Sequence, residues 1–326
     1  MMLREAQVRA VREIASDVRL IELEPADGVR PFAAGSHLEV QVHVAGAPQL
    51  RSYSLIGARE GEPGGEVYRI AVRRLAQGRG GSLYMWSLAA GARIPVSPPR
   101  SSFELTMGQP EYLLVAGGIG ITPLIGMAER LDRAGARVRL LYAGRARGAM
   151  PFLAELHARL GDRLRTFVSA EGERLDPAAA IAELHPLGEL YVCGPLALLE
   201  AVQAAWHQAG RPPGRLRFET FGSSGRHPRA PFVARVRDHA ITVSVPRDGT
   251  LLDALAAAGV ELPADCLRGE CGLCTVRVVA CDGALDHRDV FLSAAEKTRG
   301  DRLCACVGRV HGGSVTIDTG YTSELA

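Results

Sequence analysis

Six of the seven cysteines fall between positions 266 and 306, and three of them stand in the run CLRGECGLC. Cys266, Cys271 and Cys274 there have C-x4-C-x2-C spacing. Three thiolates from one loop and a fourth from a distant strand form the plant-type ligand pattern of a [2Fe–2S] cluster. Cys304 and Cys306 follow Cys274 after 29 and 31 intervening residues, so spacing leaves both open as the fourth ligand. Four thiolates also suit a structural zinc ion, but zinc ribbons commonly use two C-x2-C knuckles, and this chain has one. The asymmetric loop suits thiolates that must reach two irons, and a cluster is the expectation.

Two glycine loops upstream could hold phosphates. GRGGSLYMWSLAA brings Gly78, Gly80 and Gly81 to a helix expected to start near Ser82, where free N–H groups favour an anion. GGIGITP places Gly117, Gly118 and Gly120 directly after the apolar run YLLVA, with Thr122 expected as N-cap and Pro123 as first helical residue. A third stretch, RSYSL, puts Arg51, Tyr53 and Leu55 on one face of a strand. YVCGP carries Cys193, Gly194 and Pro195, where an unpaired cysteine by itself reads as a small buried hydrophobe.

The elements that position these residues follow from periodicity. Residues 1 to about 106 alternate with period 2 between Gly, Pro and Asp turns, which predicts an antiparallel barrel or sandwich. From about residue 108, EYLLVAG, RVRLLYAG, RLRTFVS and LGELYVCG alternate with helical patterns and predict a parallel, doubly wound sheet. Ligands of such sheets bind outside the carboxyl ends of the strands. Arg145 and Arg147 follow its second strand and could face an adenosine ribose or simply be solvated. RFETFG closes this region, with Phe218 expected in the core. SSGRHPRAP, residues 223–231, reads as a linker. Two strands, an Asp-Gly turn and a helix then precede the cysteine loop, in which Gly269 and Gly272 suit a backbone wrapped around sulfide. TVRVVACDGALDHRD is expected to form a hairpin with Val276 and Val278 buried beneath the loop.

The chain has 326 residues, enough for two or three domains. Its 47% apolar and 23% charged residues are ordinary for a globular protein. A net charge of +2 without basic runs argues against nucleic acid, and no stretch reaches the length of a membrane span. The odd cysteine count and its clustering fit a reduced compartment, and a soluble cytoplasmic protein is expected.

RSYSL, GRGGS, GGIGITP, YVCGP and the cysteine loop, in this order, resemble the phthalate dioxygenase reductase family of the ferredoxin–NADP reductase superfamily over essentially the whole chain. The resemblance implies a multidomain protein: an antiparallel β-barrel for flavin (1–106), an α/β parallel-sheet NAD(P) domain (107–225) and an α+β β-grasp ferredoxin domain (226–326). It places Arg51 at the flavin phosphate, Tyr53 on the isoalloxazine ring and Ser54 at its N5 edge, with Ser52, Val72, Arg73, Gly80, Gly81 and Ser82 nearby. It assigns Gly117, Gly118, Gly120, Thr122, Cys193, Gly194 and Pro195 to pyrophosphate and nicotinamide, and Phe221 to covering the flavin. Ser54, Thr122, Cys193 and Phe221 are thus the catalytic candidates. The short PVSPPRSSF segment lacks a Tyr or Trp to stack on an adenine, which implies FMN and not FAD. NADH is preferred as donor, with NADPH possible. The run HRDVFLSAAEK and CVGRV fits the family pattern when Cys306, beside Cys266, Cys271 and Cys274, carries the iron. The implied function is a monomeric reductase passing electrons from NADH through FMN and [2Fe–2S] to a Rieske-type oxygenase of the aromatic dioxygenase or demethylase kind. A reductase for a haem monooxygenase or ferric chelates is the alternative, and an electron carrier or zinc-stabilised module without NAD(P)H turnover is another.

Overall fold

The computed structural model describes residues 3–44, 46–57, 67–76, 80–101, 103–221 and 227–320. Gly78 and linker positions 223–226 lie outside them. The alternating N-terminal segments become β1 (Arg4–Ala15), β2 (Val18–Pro25), β3 (Ser36–Val44), β4 (Ala47–Ser54) and β5 (Tyr68–Arg73). Helix α1 (Gly81–Ser87), β6 (Arg93–Val96) and β7 (Arg100–Ser101) follow. They pair in the order β4-β3-β6-β1-β2-β5, with β7 on β3, and an antiparallel bridge from Leu55 to Ile70 closes β4 against β5. The alternation is visible in β3, where Leu38, Val40 and Val42 are fully buried while Glu39 and Gln41 are not.

The second sheet is parallel, in the order β10-β9-β8-β11-β12. Its elements are β8 (Tyr112–Gly117), α2 (Ile121–Arg133), β9 (Val138–Gly144), α3 (Leu153–Leu160), β10 (Leu164–Val168), α4 (Pro177–Ala182), β11 (Glu189–Cys193), α5 (Leu196–Gln208) and β12 (Leu216–Glu219). Helices cover both faces of such a sheet, so β8 is apolar without alternation and both β8 and β11 are buried throughout. Phe218 is only half-buried, because β12 is an edge strand. Barrel residues Val18, Leu20, Ile56, Ala71 and Phe103 share one core cluster with Leu114, Leu124, Tyr142 and Tyr191 of the parallel sheet. That shared burial joins barrel and sheet into one compact unit, Met1–Phe221. Helix α2 makes the seam tight: a Cβ on Gly126 would lie 2.2 Å from the Gly57 carbonyl oxygen.

The second unit is Gly222–Ala326. Here β13 (Phe232–Val236), β14 (Ile241–Val245), α6 (Leu251–Ala257), β15 (Thr275–Asp286), α7 (Ala294–Arg299), β16 (Arg302–Cys304) and β17 (Arg309–Asp318) build a mixed sheet, β14-β13-β17-β15-β16. Thr250 caps α6, and Ser293 with Glu296 forms a reciprocal capping box on α7, each cap worth about 1 kcal/mol. The expected hairpin at 275–289 is absent. Asp282-Gly283 does not turn the chain but sits at an irregularity in β15, which pairs antiparallel with β17 from Arg277↔Asp318 to Asp286↔Arg309. Gly283, at φ 136°, absorbs the extra residue without reversing direction. Val276 is buried as expected and Val278 partly so. Among the described residues, no helix is long and apolar enough to cross a membrane.

Arg309 pins the entry to this unit. Its buried guanidinium donates to the carbonyls of Gly249 (2.6 Å), Ala230 (2.9 Å) and Pro246 (2.8 Å). Arg288, ion-paired with buried Asp286, donates to the His227 carbonyl at 2.7 Å, and the His227 ring stacks on His311 at 4.6 Å. Residues 227–231 of the expected linker are therefore fixed to the second unit. Arg309→Met should leave three part-buried carbonyls without this donor and destabilise that unit by about 1.5–3 kcal/mol. Faster amide exchange in β13 and β17 would show it, with fluorescence of Trp86 and Trp206, both in the first unit, unchanged.

Candidate functional site

The carboxyl ends of β8 and β11 lie beside one another where the strand order reverses, the ligand crevice of an open α/β sheet. The GGIGITP loop leaves β8 and the CGP loop leaves β11. A Cβ on Gly120 would lie 2.2 Å from the Cys193 carbonyl oxygen, and one on Gly117 would lie 2.6 Å from Pro195 Cδ. Gly194 in turn would meet the Gly117 Cα at 2.9 Å. Only glycine fits at these three positions, and they bring Cys193, Gly194 and Pro195 against the first loop.

Thr122 does not cap α2. Residues 118–120 form a 3-10 turn that continues into the helix at Ile121, with Gly120 as N-cap, so helical backbone begins before the threonine. Thr122 is buried in the first turn, and its hydroxyl donates to the Ile119 carbonyl at 3.1 Å. Pro123 is tolerated there because a first-turn N–H has no intrahelical acceptor.

On the barrel side, β4 pairs Arg51 with Val40 and Tyr53 with Leu38, which places both on the inward face. Ser52 projects to the exposed side and is not brought to this face. Burial pushes the Tyr53 phenol up to about 12, against the opposing Arg51 charge. Gly81 opens α1 directly against Arg51, since a Cβ there would approach Arg51 Nε to 2.9 Å. Gly80, at φ 77°, packs on Val44. The Ser82 hydroxyl accepts the Leu75 N–H at 3.1 Å and ties down the segment after β5. Val72 is buried, and its carbonyl accepts the Trp86 indole N–H at 3.0 Å.

Barrel and sheet meet at this crevice. Arg73, at the end of β5, lies 3.9 Å from where Gly118 would carry a Cβ. Ser54, buried at the end of β4, donates to Glu219 Oε2 at 3.5 Å. Glu219 is a further candidate that sequence reasoning passed over: a carboxylate 1% exposed at the end of β12. Its signal was a glutamate two residues before an aromatic at a strand end. Phe221 is 41% exposed just beyond.

In the second unit the cysteine loop is wound around Cys266. The backbone N–H groups of Arg268, Glu270 and Cys271 donate to its Sγ at 3.4, 3.3 and 3.4 Å. Leu267, Gly269 and Gly272 all have positive φ, at 53°, 76° and 76°. A Cβ on Gly269 would lie 2.8 Å from the Asp289 Cα, and one on Gly272 would enter the Phe291 ring. Cys266 lies within hydrogen-bond reach of Cys271, and Cys274 within reach of both Cys304 and Cys306. Those two thiols hold Cys274 well below the ordinary thiol range, and they are themselves raised. Cys306 also feels the charge of Cys266, whereas Cys304 bonds Thr275. Cys266 thus neighbours Cys271, and Cys274 neighbours Cys304 and Cys306, a division of thiols that two irons would use. The inward N–H groups and the glycine bends fit a [2Fe–2S] cluster.

Residues 234–311 match the 2Fe-2S iron-sulfur cluster binding domain family. The chain is 37% identical to the haem-dependent oxidative N-demethylase beta subunit of Ectopseudomonas mendocina, covering 96% of itself and 98% of that protein. Among solved structures it matches phthalate dioxygenase reductase, described as a modular structure for electron transfer from pyridine nucleotides to [2Fe–2S], with TM-score 0.76 and 30% identity over 97% and 98% of the two chains. The chain belongs to the phthalate dioxygenase reductase family. As a member it is a multidomain oxidoreductase with a flavin barrel, an α/β nucleotide domain and a β-grasp [2Fe–2S] domain. An intact type IV self-sufficient cytochrome P450 monooxygenase also matches, at TM-score 0.68 and 35% identity over 97% of this chain. The chain spans about two-fifths (41%) of that protein's length.

The raised Tyr53 value makes pH a probe of the barrel. Its folded value of about 12 exceeds the ordinary 10.0, so its contribution to stability is complete below pH 10 and is lost as pH rises toward 12. Alkaline unfolding of flavin-free protein should therefore be less steep in Tyr53→Phe over pH 10–12, as followed by circular dichroism.

Proposed function

We propose that this reductase takes hydride from NADH and passes electrons, by way of FMN in residues 1–106 and a [2Fe–2S] cluster in residues 226–326, to a partner oxygenase. The observation that carries this is the meeting of Ser54 and Glu219 with the Cys193–Gly120 crevice, on the strand that also carries Arg51 and Tyr53. Along β4, Ser54 lies about 10 Å from Arg51, so one strand serves both the ring and the phosphate of a single flavin. FMN would supply two-electron acceptance and one-electron release, and the cluster would hold one electron at a time.

The chain's own residues do the rest. Arg51, with Gly80, Gly81 and Ser82 beside it, receives the flavin phosphate, and Tyr53 backs the ring. Ser54, whose hydroxyl donates to the Glu219 carboxylate, would lie by the N5 edge of a bound flavin. Residues 107–225 bind the coenzyme: Gly117, Gly118 and Gly120 let the pyrophosphate approach the backbone, and Arg73 adds charge beside them. Thr122 fixes the loop through Ile119. Cys193, Gly194 and Pro195 would shape the nicotinamide slot, and Phe221 would cover the flavin ring. The segment after β6 favours FMN, because Ser97 and β7 hold it against β3 and it carries no Tyr or Trp to stack on adenine, its one aromatic, Phe103, being buried in the core. Cys266 and Cys271 would hold one iron of the cluster, and Cys274 and Cys306 the other. Cys306 is preferred to Cys304 because HRDVFLSAAEK and CVGRV fit the family pattern when Cys306 carries the iron.

The partner fits a Rieske-type terminal oxygenase, with the reductase acting as a cytoplasmic monomer. A haem oxygenase is the second reading, favoured by the relatedness to the haem-dependent N-demethylase subunit and the self-sufficient P450. Anaerobic addition of NADH should bleach flavin and cluster absorbance together, and an unresponsive spectrum would refute the reductase reading. Reoxidation on adding a Rieske oxygenase but not a haem oxygenase selects between the partners. Cys304→Ser should keep the cluster absorbance and Cys306→Ser should lose it; the reverse outcome moves the fourth ligand to Cys304.

A further inference from the structure

Strands β9 and β10 end side by side, with Val168 opposite Gly144, at the carboxyl edge of the parallel sheet. The loops that leave them are joined: the Ala170 N–H donates to the Arg145 carbonyl at 3.0 Å. In a dinucleotide-binding sheet the strand next to the glycine loop ends where the adenosine ribose is read. A carboxylate there accepts from the 2′-hydroxyl of NAD, and a cation there accommodates the 2′-phosphate of NADP.

Both residue types are present, and they are bonded to each other. Arg147 Nε reaches the two Glu171 oxygens at 3.0 and 3.1 Å, and its Nη2 reaches Oε2 at 2.8 Å. Glu173 lies 3.9 Å from the same guanidinium and is held in place by accepting the Val168 N–H at 2.9 Å. We infer that Glu171 and Glu173 set this chain's preference for NADH by withholding Arg147 from a 2′-phosphate; this rests on reading residues 107–225 as the coenzyme domain. A phosphate at this corner would have to displace a bidentate carboxylate and sit beside a second one. A ribose diol meets no such obstacle and can donate to Glu171. Side-chain exposures of 50% for Arg147 and 45% for Glu171 leave the pair open to a ligand, and its energetic weight is moderated by solvent.

The test compares adenosine fragments, which need no nicotinamide stacking. Binding of 2′,5′-ADP and 5′-AMP to the full-length holoprotein is measured by calorimetry, alongside kcat/KM for NADPH and NADH. The unsubstituted protein should bind 5′-AMP more tightly and use NADH better. Glu171→Gln with Glu173→Gln should tighten 2′,5′-ADP by about tenfold, the scale of one charge-assisted hydrogen bond, while 5′-AMP changes little. Adding Arg147→Ala should cancel that gain, whereas Arg145→Ala should not. Tighter binding of 2′,5′-ADP by the unsubstituted protein, no gain in the double variant, or a gain that survives Arg147→Ala would each overturn the inference. If NADH fails to bleach the holoprotein at all, the reductase reading falls and this inference with it; if NADH bleaches it and any overturning result is obtained, only the inference falls.

Discussion

The first unit depends on a contact between two backbones that leaves no room for a side chain. Gly117 and Gly120 of one loop meet Cys193 and Gly194 of the other closer than any Cβ allows. Without that approach the ends of β8 and β11 would be held apart, and the helices that follow them would have to splay. The crevice floor is therefore made of peptide groups, whose N–H donors can reach a phosphate that side chains would hold off. Fixed in this way, the sheet offers the barrel a rigid edge, against which Ser54, Arg73 and Gly57 come to rest.

A different solution to the same problem governs the cysteine loop. Four thiolates crowded together repel one another, and the backbone offsets this by turning N–H groups inward. Three of them converge on Cys266, and the chain reaches that arrangement only through consecutive excursions to positive φ. One of these is taken by Leu267, a residue for which that conformation is unfavourable. The cost is sustained by neighbours such as Gly269, which has Asp289 and Val307 directly against it.

Much of this was legible in the residues. The period-2 and strand-helix rhythms located barrel and parallel sheet, because each rhythm reports which faces are buried. C-x4-C-x2-C gave the chemistry of the loop, since spacing alone restricts which metals the thiolates can serve. The errors arose where local signals compete with tertiary pairing. Asp282-Gly283 carries the residues of a hairpin turn, but pairing of β15 with β17 on both sides converts it to an irregularity within a strand. Thr122-Pro123 has the look of a helix start, yet a 3-10 turn over Gly118–Gly120 already runs into the helix, which begins at Ile121 with Gly120 as N-cap. Glu219 was missed because it ends the short edge strand LRFE, where no periodic signal marks it, and its partner Ser54 is 165 residues away in sequence.

Arg288, Arg309 and the stacked His227–His311 pair give the C-terminal unit its own length of connector. For protein engineering this moves the natural seam upstream of the first strand. A cassette cut at Phe232 would strip Arg309 and Arg288 of their acceptors at Ala230 and His227, whereas one that begins at residue 227 keeps both. Transplanted to another host with those residues, the cluster module would carry its anchoring with it, and the designer is left free to choose only the stretch before them.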